Sequence, residues 1–561
     1  MKRFRTFVLG ATVLVGCVSS GVLKLALIGD SRELRERTDD AAAPRDSSSL
    51  LVIGLDGVNR SILYDLLRGG DLPGLASLLG GRQGRRFPHA HLDESTLSPL
   101  PSLTIPGWAT IFTGVTPAEH GIAGNEFFVR ETMRFAAPLP GTFVDETPVH
   151  ATYTDDYANR LLEVPSVYDR MRAAEPDIRI WVSVSPFYAG ADRLLLAERS
   201  AAVDMTQSFF ETTIDRDELG KYEWRDREIF DTVIEHLEGS RGSPPDVLTL
   251  YVSGTDQYAH VAPEGPERAI RRYLQGAVDD MFGELQKELD AAHALDDRYV
   301  VVVADHGHTE VVADQEHLIG VDGEDDPPVV LRAAGFRLRP FELETGDDDF
   351  QAVLTYQGPF AYVYVADRST CAEEGQRCRW HEPPRFEEDV LPVAEAFFRA
   401  SEAGTNAPGM KGTLDMVLAR RPRPYGERDL PFEVYVGNGR LQPISRYLES
   451  HPNPRYVAFE ERLRDLAVGR YGERAGDVML LAHDGDRDRP EDRYYFATTP
   501  YRSVHGSPSR RDSEIPLILA HRGKTTAALR RLVERRLGQN GRADEIAALL
   551  LDLRRDRSLR K

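Results

Sequence analysis

Seven side chains in this 561-residue chain are of the types that hold divalent cations or attack phosphorus, and their placement repeats. Asp56 closes the apolar run LLVIGL at residues 50–55, and Asp305-His306-Gly307 closes YVVVVA at 299–304. Asp256 and His260, four apart so that one helical face could carry both, follow VLTLYV at 247–252. His505-Gly506 stands ahead of the run IPLILA at 515–520, and Thr104 lies in LTIPGWAT. Three carboxylates, three imidazoles and a hydroxyl are too many ligands for one ion. They suit two, with a position left for water or substrate. Mixed nitrogen and oxygen donors favour zinc, and manganese would also fit.

Such residues must be gathered by the elements that carry them. Continuous apolar runs are those of strands covered on both faces, as in a parallel sheet, and residues 178–184 (IRIWVSV) add another. Helical patterns at 228–237 and 269–289 lie between them, which predicts an α/β sandwich. Ligands of such sheets bind beyond the carboxyl ends of the strands, where Asp56, Asp256 and Asp305 could converge. Around Thr104 a Pro-rich extended segment runs into a helix expected over 108–113, with Pro106 suited to its first turn. Thr104 then sits where free N–H groups and the positive end of the helix dipole face outward. Its alternative role is a helix cap or a loop residue.

A net charge of −21 argues against gripping a nucleic-acid backbone, and the 41% hydrophobic and 28% charged residues are those of a globular protein. The N-terminus differs: MKRFR is a basic n-region, residues 7–16 form an apolar h-region, and Leu14-Val15-Gly16-Cys17 resembles a bacterial lipobox that would lipidate Cys17. An uncleaved anchor is the alternative, although Ser19, Ser20 and Lys24 interrupt the longer apolar run. Either exports the body of the protein and holds it at a membrane, periplasmic or cell-surface. Cys371 and Cys378 enclose the polar stretch AEEGQR, which in an exported chain suggests a disulfide. The division expected is a signal at 1–30, a tether at 31–49, a catalytic domain at 50–319 with 477–522, an insert or cap at 320–476, and a helical tail at 523–561. The leucines of that tail, Leu549, Leu550 and Leu553, are either packed or membrane-facing.

LLVIGLDG, LTIPGWATIFTGVTPAEHGIAGN, DQYAH, ADHG and the final HG together resemble the type I phosphodiesterase/nucleotide pyrophosphatase family of the alkaline phosphatase superfamily, over roughly 50–310 and 478–520. The resemblance implies an alkaline-phosphatase-like sandwich, a mostly parallel sheet with helices on both faces, and a two-zinc site. One zinc would be held by Asp256, His260 and His505, the other by Asp56, Thr104, Asp305 and His306. Thr104 would be the nucleophile, and Asn125 matches the asparagine that hydrogen-bonds a phosphoryl oxygen. Sulfatases of the superfamily need a modified Cys or Ser where Thr104 stands. His120, His308 and His317 lie near motifs but are read as structural. Asp484, Asp486 and Asp488 alternate like a calcium loop, but Arg489 replaces the glycine such a loop requires.

Two dications against three carboxylates leave +1, and a Thr104 alkoxide brings that to zero. A phosphomonoester dianion would call for extra cations, and none stands beside the motifs, so a phosphodiester is the expected substrate. A phosphomonoesterase and a phosphoethanolamine-type transferase remain as alternatives. A non-catalytic metal-binding surface protein is a further one, though it has no need of a nucleophile. At the position after Thr104, nucleotide-cleaving relatives carry a phenylalanine that stacks on the base, and this chain has Ile105. Weakened nucleotide selectivity follows, unless Phe127 or Phe128 supplies the missing ring.

Overall fold

The computed structural model describes residues 30–35, 47–142, 147–196, 219–240, 244–343, 345–346, 348–424, 430–538 and 541–556. The signal segment and Cys17 lie outside the described residues. Valine- and leucine-rich runs build an eight-stranded sheet in the order Ser31–Glu33, Arg193–Leu195, Ile180–Ser183, Val247–Val252, Ser49–Leu55, Arg298–Ala304, Leu517–Ala520 and Ala90–Asp93. The five strands from Arg193–Leu195 to Arg298–Ala304 pair in parallel, and the three at the edges pair antiparallel. Every residue of Val247–Val252 and Arg298–Ala304 is buried, as their unbroken apolar runs require when helices cover both faces. The expected α/β class and mostly parallel sheet are observed.

Helices fill the crossovers, and two expectations about them are refined. The pattern over 269–289 is two helices, Pro266–Tyr273 and Asp279–Ala291, joined by a π-helical turn, Leu274–Val278. At that junction the Asp279 carboxylate accepts the N–H groups of Gly74 and Leu75, capping the helix Pro73–Leu78. In the C-terminal tail, the helix Ile546–Arg554 buries Leu549, Leu550 and Leu553 in the main core, so the packed reading holds there. Among the described residues, no helix is long and apolar enough to cross a membrane.

The region 320–476 contributes most of a second sheet, antiparallel throughout. Its order is Ala352–Gln357, Phe360–Val365, Val478–Ala482, Leu414–Ala419, Glu433–Tyr435 and Leu441–Gln442. Val478–Ala482, within the stretch 477–522 assigned from sequence to the catalytic domain, sits inside this sheet, between Phe360–Val365 and Leu414–Ala419. A five-residue apolar run reads alike in either setting, because a central strand of any two-sided sheet is buried on both faces. Ser31–Glu33, placed in the tether, is an edge strand on Arg193–Leu195. Cys371 and Cys378 form the expected disulfide, with both cysteines buried and the stretch between them exposed.

Candidate active site

The helix Thr104–Thr113 begins at Thr104 itself, four residues earlier than expected, and buries all ten of its residues. Its N-cap, Leu103, provides no side-chain hydrogen bond. Asn125 supplies one instead: its Oδ1 accepts the Ile105 N–H at 3.0 Å, which turns the Asn125 amide NH2 away from the helix. Two glycines let the helix approach the sheet. A Cβ on Gly107 would lie 2.9 Å from that of Asp305, and one on Gly54 would lie 2.7 Å from the Trp108 ring. Trp108 thus lies against the Asp56 strand, and Thr104 is delivered to the strand ends.

There the carboxylates share one arrangement. Asp305 Oδ1 accepts the N–H groups of Gly57 and His306, and Asp56 Oδ2 accepts the Tyr251 hydroxyl. Asp305 Oδ2, Asp56 Oδ1 and Asp256 Oδ1 are buried and have no hydrogen-bond partner. The imidazoles mirror this. Nδ1 of His306 contacts Gly307 O, that of His260 Ser503 O, that of His505 Ser102 O and that of His308 Ser503 Oγ. Each ring is held by one nitrogen and turns Nε2 inward, the way metal-ligating histidines are fixed by their outer partners.

The inward atoms crowd together. Asp256 Oδ1 lies 3.0 Å from His308 Nε2, 3.4 Å from His260 Nε2 and 3.5 Å from His505 Nε2. His306 Nε2 is 3.4 Å from Asp56 Oδ1, 3.3 Å from Asp305 Oδ2 and 3.1 Å from the Thr104 hydroxyl. The Nε2 atoms of His260 and His505 are 3.2 Å apart, and the His306 and His505 rings stack at 3.6 Å. Three sets, Asp256/His260/His505, Asp56/Asp305/His306 and Asp256/His306/His308, bring ligand atoms within 4.8 Å of one another. Carboxylate oxygens without donors, facing imidazole nitrogens already anchored from behind, form a donor set that fits divalent cations.

The charges agree with that fit. Burial raises Asp56 well above the usual carboxylate range, with repulsion from Asp305 and Asp256 adding to it, and burial likewise raises Asp305. Burial would also raise Asp256, but the His260 charge and the close approach of the His260 and His308 rings hold it well below. Burial lowers His306, His308 and His505, keeping them in the neutral form that binds metal. Burial opposes protonation of His260 too, yet Asp256 raises it.

All seven expected metal-site residues meet here, and Asn125 borders the same pocket. Residues 50–373 match the family described as type I phosphodiesterase/nucleotide pyrophosphatase. The chain belongs to that family. Its members are phosphoric ester hydrolases by name. An uncharacterised pyrophosphatase/phosphodiesterase of Schizosaccharomyces pombe is 26% identical over 322 residues, covering 55% of this chain and 55% of its own. The chain therefore spans about half the length of that curated relative. Two structures of murine ectonucleotide pyrophosphatase/phosphodiesterase 5 superpose with TM-score 0.47, at 13% and 12% identity, over 90% of this chain and 94% of theirs. The second is an inactive threonine-to-alanine variant in complex with AMP.

Some residues of this family member were not singled out from sequence. His308, read as structural, touches Asp256; the D-H-x-H spacing was a signal for it. Gln357 Oε1 accepts the Asn125 N–H at 3.0 Å. Glu126 accepts the N–H groups of Gly141, Thr142 and Tyr356 and so fastens two walls of the pocket together. His120 is structural as expected: fully buried, it bonds Thr110 Oγ and the Ile122 N–H. Neither Ile105 nor the rings expected to replace it line the pocket. Ile105 packs in the core, Phe127 and Phe128 are fully buried, and the pocket is walled instead by Tyr222, Tyr356, Phe496 and Tyr501.

Proposed function

We propose that the chain is a metal-dependent phosphodiesterase in which Thr104 is the nucleophile. Two zinc ions would be held, one by Asp256, His260 and His505 and the other by Asp56, Thr104, Asp305 and His306. Manganese is a possible substitute. The observation that carries this reading is the Thr104 hydroxyl at a helix N-terminus, 3.1 Å from His306 Nε2 and among three carboxylate oxygens with no hydrogen-bond partner. Bound there, two divalent cations would acidify a hydroxyl and neutralise charge on the attacking and departing oxygens.

The chain's own residues account for the remaining steps. Thr104 Oγ bonds to phosphorus as the ester oxygen of the leaving alcohol departs and takes up a proton. Water then cleaves the phospho-threonine, returning the Thr104 hydroxyl and releasing the phosphomonoester. Asn125, its Oδ1 committed to Ile105, offers its amide NH2 to a phosphoryl oxygen. Among the described residues, no Lys or Arg lines the pocket, which suits the single charge of a diester better than a dianion. The four aromatic walls suit an aromatic or apolar ester group, nucleosides included.

We further infer export and attachment to a membrane through Cys17 or an uncleaved anchor, on the basis of the N-terminal sequence alone. The functional reading is tested by stripping the full chain of metal, restoring zinc or manganese, and comparing bis-p-nitrophenyl phosphate with p-nitrophenyl phosphate. About two equivalents of metal and a preference for the diester are expected. Stoichiometric metal without turnover would favour the binding-protein alternative, and preference for the monoester would favour a phosphatase.

A further inference from the structure

Arg462, on the helix Phe459–Ala467 of the inserted region, is 5% exposed, and among the described residues it has no ion-pair partner. All five of its guanidinium N–H groups donate to neutral oxygens. Nε reaches Ser98 O at 2.8 Å; one terminal nitrogen reaches Val457 O at 3.2 Å and Ser513 Oγ at 2.8 Å; the other reaches Pro99 O at 3.0 Å and Ser102 Oγ at 2.7 Å. Burial pulls it down to about 9, with Asp512 and Asp465 acting the other way, so it remains charged at neutral pH. A buried charge without a counter-ion is costly, and its contacts show what it is fastened to.

Those contacts join the two segments that carry chemistry. Ser98–Ser102 leads directly into Thr104. Ser102 O contacts His505 Nδ1 at 3.3 Å, and Ser102 N donates to Gly506 O at 3.3 Å. On the other side, Ser513 Oγ donates to Ser507 O at 3.3 Å, two residues past His505. Ser102 thereby fixes which nitrogen of His505 turns inward, and Arg462 fixes Ser102.

We infer that Arg462 is a positioning residue: through Ser102 and Ser513 it holds Thr104 and His505 in register, so that the inserted region completes a centre to which it lends no ligand. The inference rests on the reading of the site as a two-metal centre. Lysine, with three donors, cannot make the same five bonds.

The test uses full-length Arg462→Ala and Arg462→Lys, with zinc retention followed by elemental analysis against a graded chelator. Turnover of bis-p-nitrophenyl phosphate is measured alongside. One zinc equivalent should be lost about 10- to 100-fold more readily than in wild type while the other holds. kcat should fall by a similar factor, with little change in KM. Arg462, Ser98 and Pro99 line a cavity of about 420 Å³, so guanidinium ion added to Arg462→Ala can refill the gap and should restore part of both losses. If Arg462→Ala fails to fold, Arg462→Lys decides, with a smaller loss in the same direction. Wild-type retention of both zinc equivalents and wild-type kcat in a folded variant would overturn the inference, as would a wild-type chain that binds no zinc. If wild type binds two zinc ions but turns over no diester, the functional reading fails and the retention measurement still decides the role of Arg462.

Discussion

Asp256 Oδ1 is the most informative atom in the molecule, because three Nε2 atoms lie within 3.5 Å of it and each ring is already held from behind. Hydrogen bonding alone would satisfy such an oxygen with one or two donors, whereas the two cations proposed would partner it and the inward nitrogens of His260, His306 and His505, with His308 left in contact with it. Tyr356 and Phe496 stand 5.2 Å apart, tilted at 45°, at the pocket edge. Stacking of a base on an aromatic ring is worth about 1–3 kcal/mol. Phe496→Ala should therefore lower kcat/KM for a nucleoside p-nitrophenyl diester about tenfold or more, relative to an alkyl p-nitrophenyl diester. An unchanged ratio would remove Phe496 from substrate recognition. Metal-type residues were legible in the sequence because an aspartate directly after a valine-rich run marks a strand end. The aromatics were not: Tyr356 and Phe496 reach the pocket from more than two hundred residues beyond Thr104, and no local pattern ties them to it.

At the scale of elements, the site depends on how closely helix, strand and loop approach. The helix Thr104–Thr113 can rest on the sheet because Gly54 and Gly107 leave room, a contact that the local sequence encodes only as two missing side chains. The loop carrying His505 is held differently. Asp512 accepts the Ser507 N–H at 2.9 Å and the Thr309 hydroxyl at 2.6 Å, tying that loop to the segment that carries His308. Burial raises Asp512 from 3.8 to about 6. Because the folded pKa lies above the unfolded one, the folded state holds more protons in between. The stability from this group is full below pH 3.8 and is lost as pH rises through about 6. Asp512→Asn keeps an acceptor for Ser507 and removes the titration. Wild type should thus lose up to about 3 kcal/mol relative to Asp512→Asn as pH rises across that window, read by urea unfolding of metal-free protein. A difference independent of pH would refute the assignment. Strand existence was well encoded in the sequence. Sheet membership was not, since Val478–Ala482 is equally buried in either sheet.

For the whole molecule, residues of both sheets meet near the site, the tail helix Ile546–Arg554 packs on the helix that begins at Thr104, and residues 320–476 supply pocket walls as well as Arg462. Lipidation at Cys17 predicts that Cys17→Ser, or chemical blockade of lipoprotein processing, leaves an unprocessed precursor in membranes. A mature protein beginning elsewhere, or released freely from membranes, would exclude it.

Attack of Thr104 on phosphorus is the step that the rest of the proposed chemistry requires. It is tested by the kcat of Thr104→Ala on bis-p-nitrophenyl phosphate, at zinc occupancy matched to wild type by elemental analysis. A fall of several orders of magnitude, on the order of a thousandfold or more, is expected, with fold and metal content nearly intact. Turnover within about tenfold of wild type would contradict it.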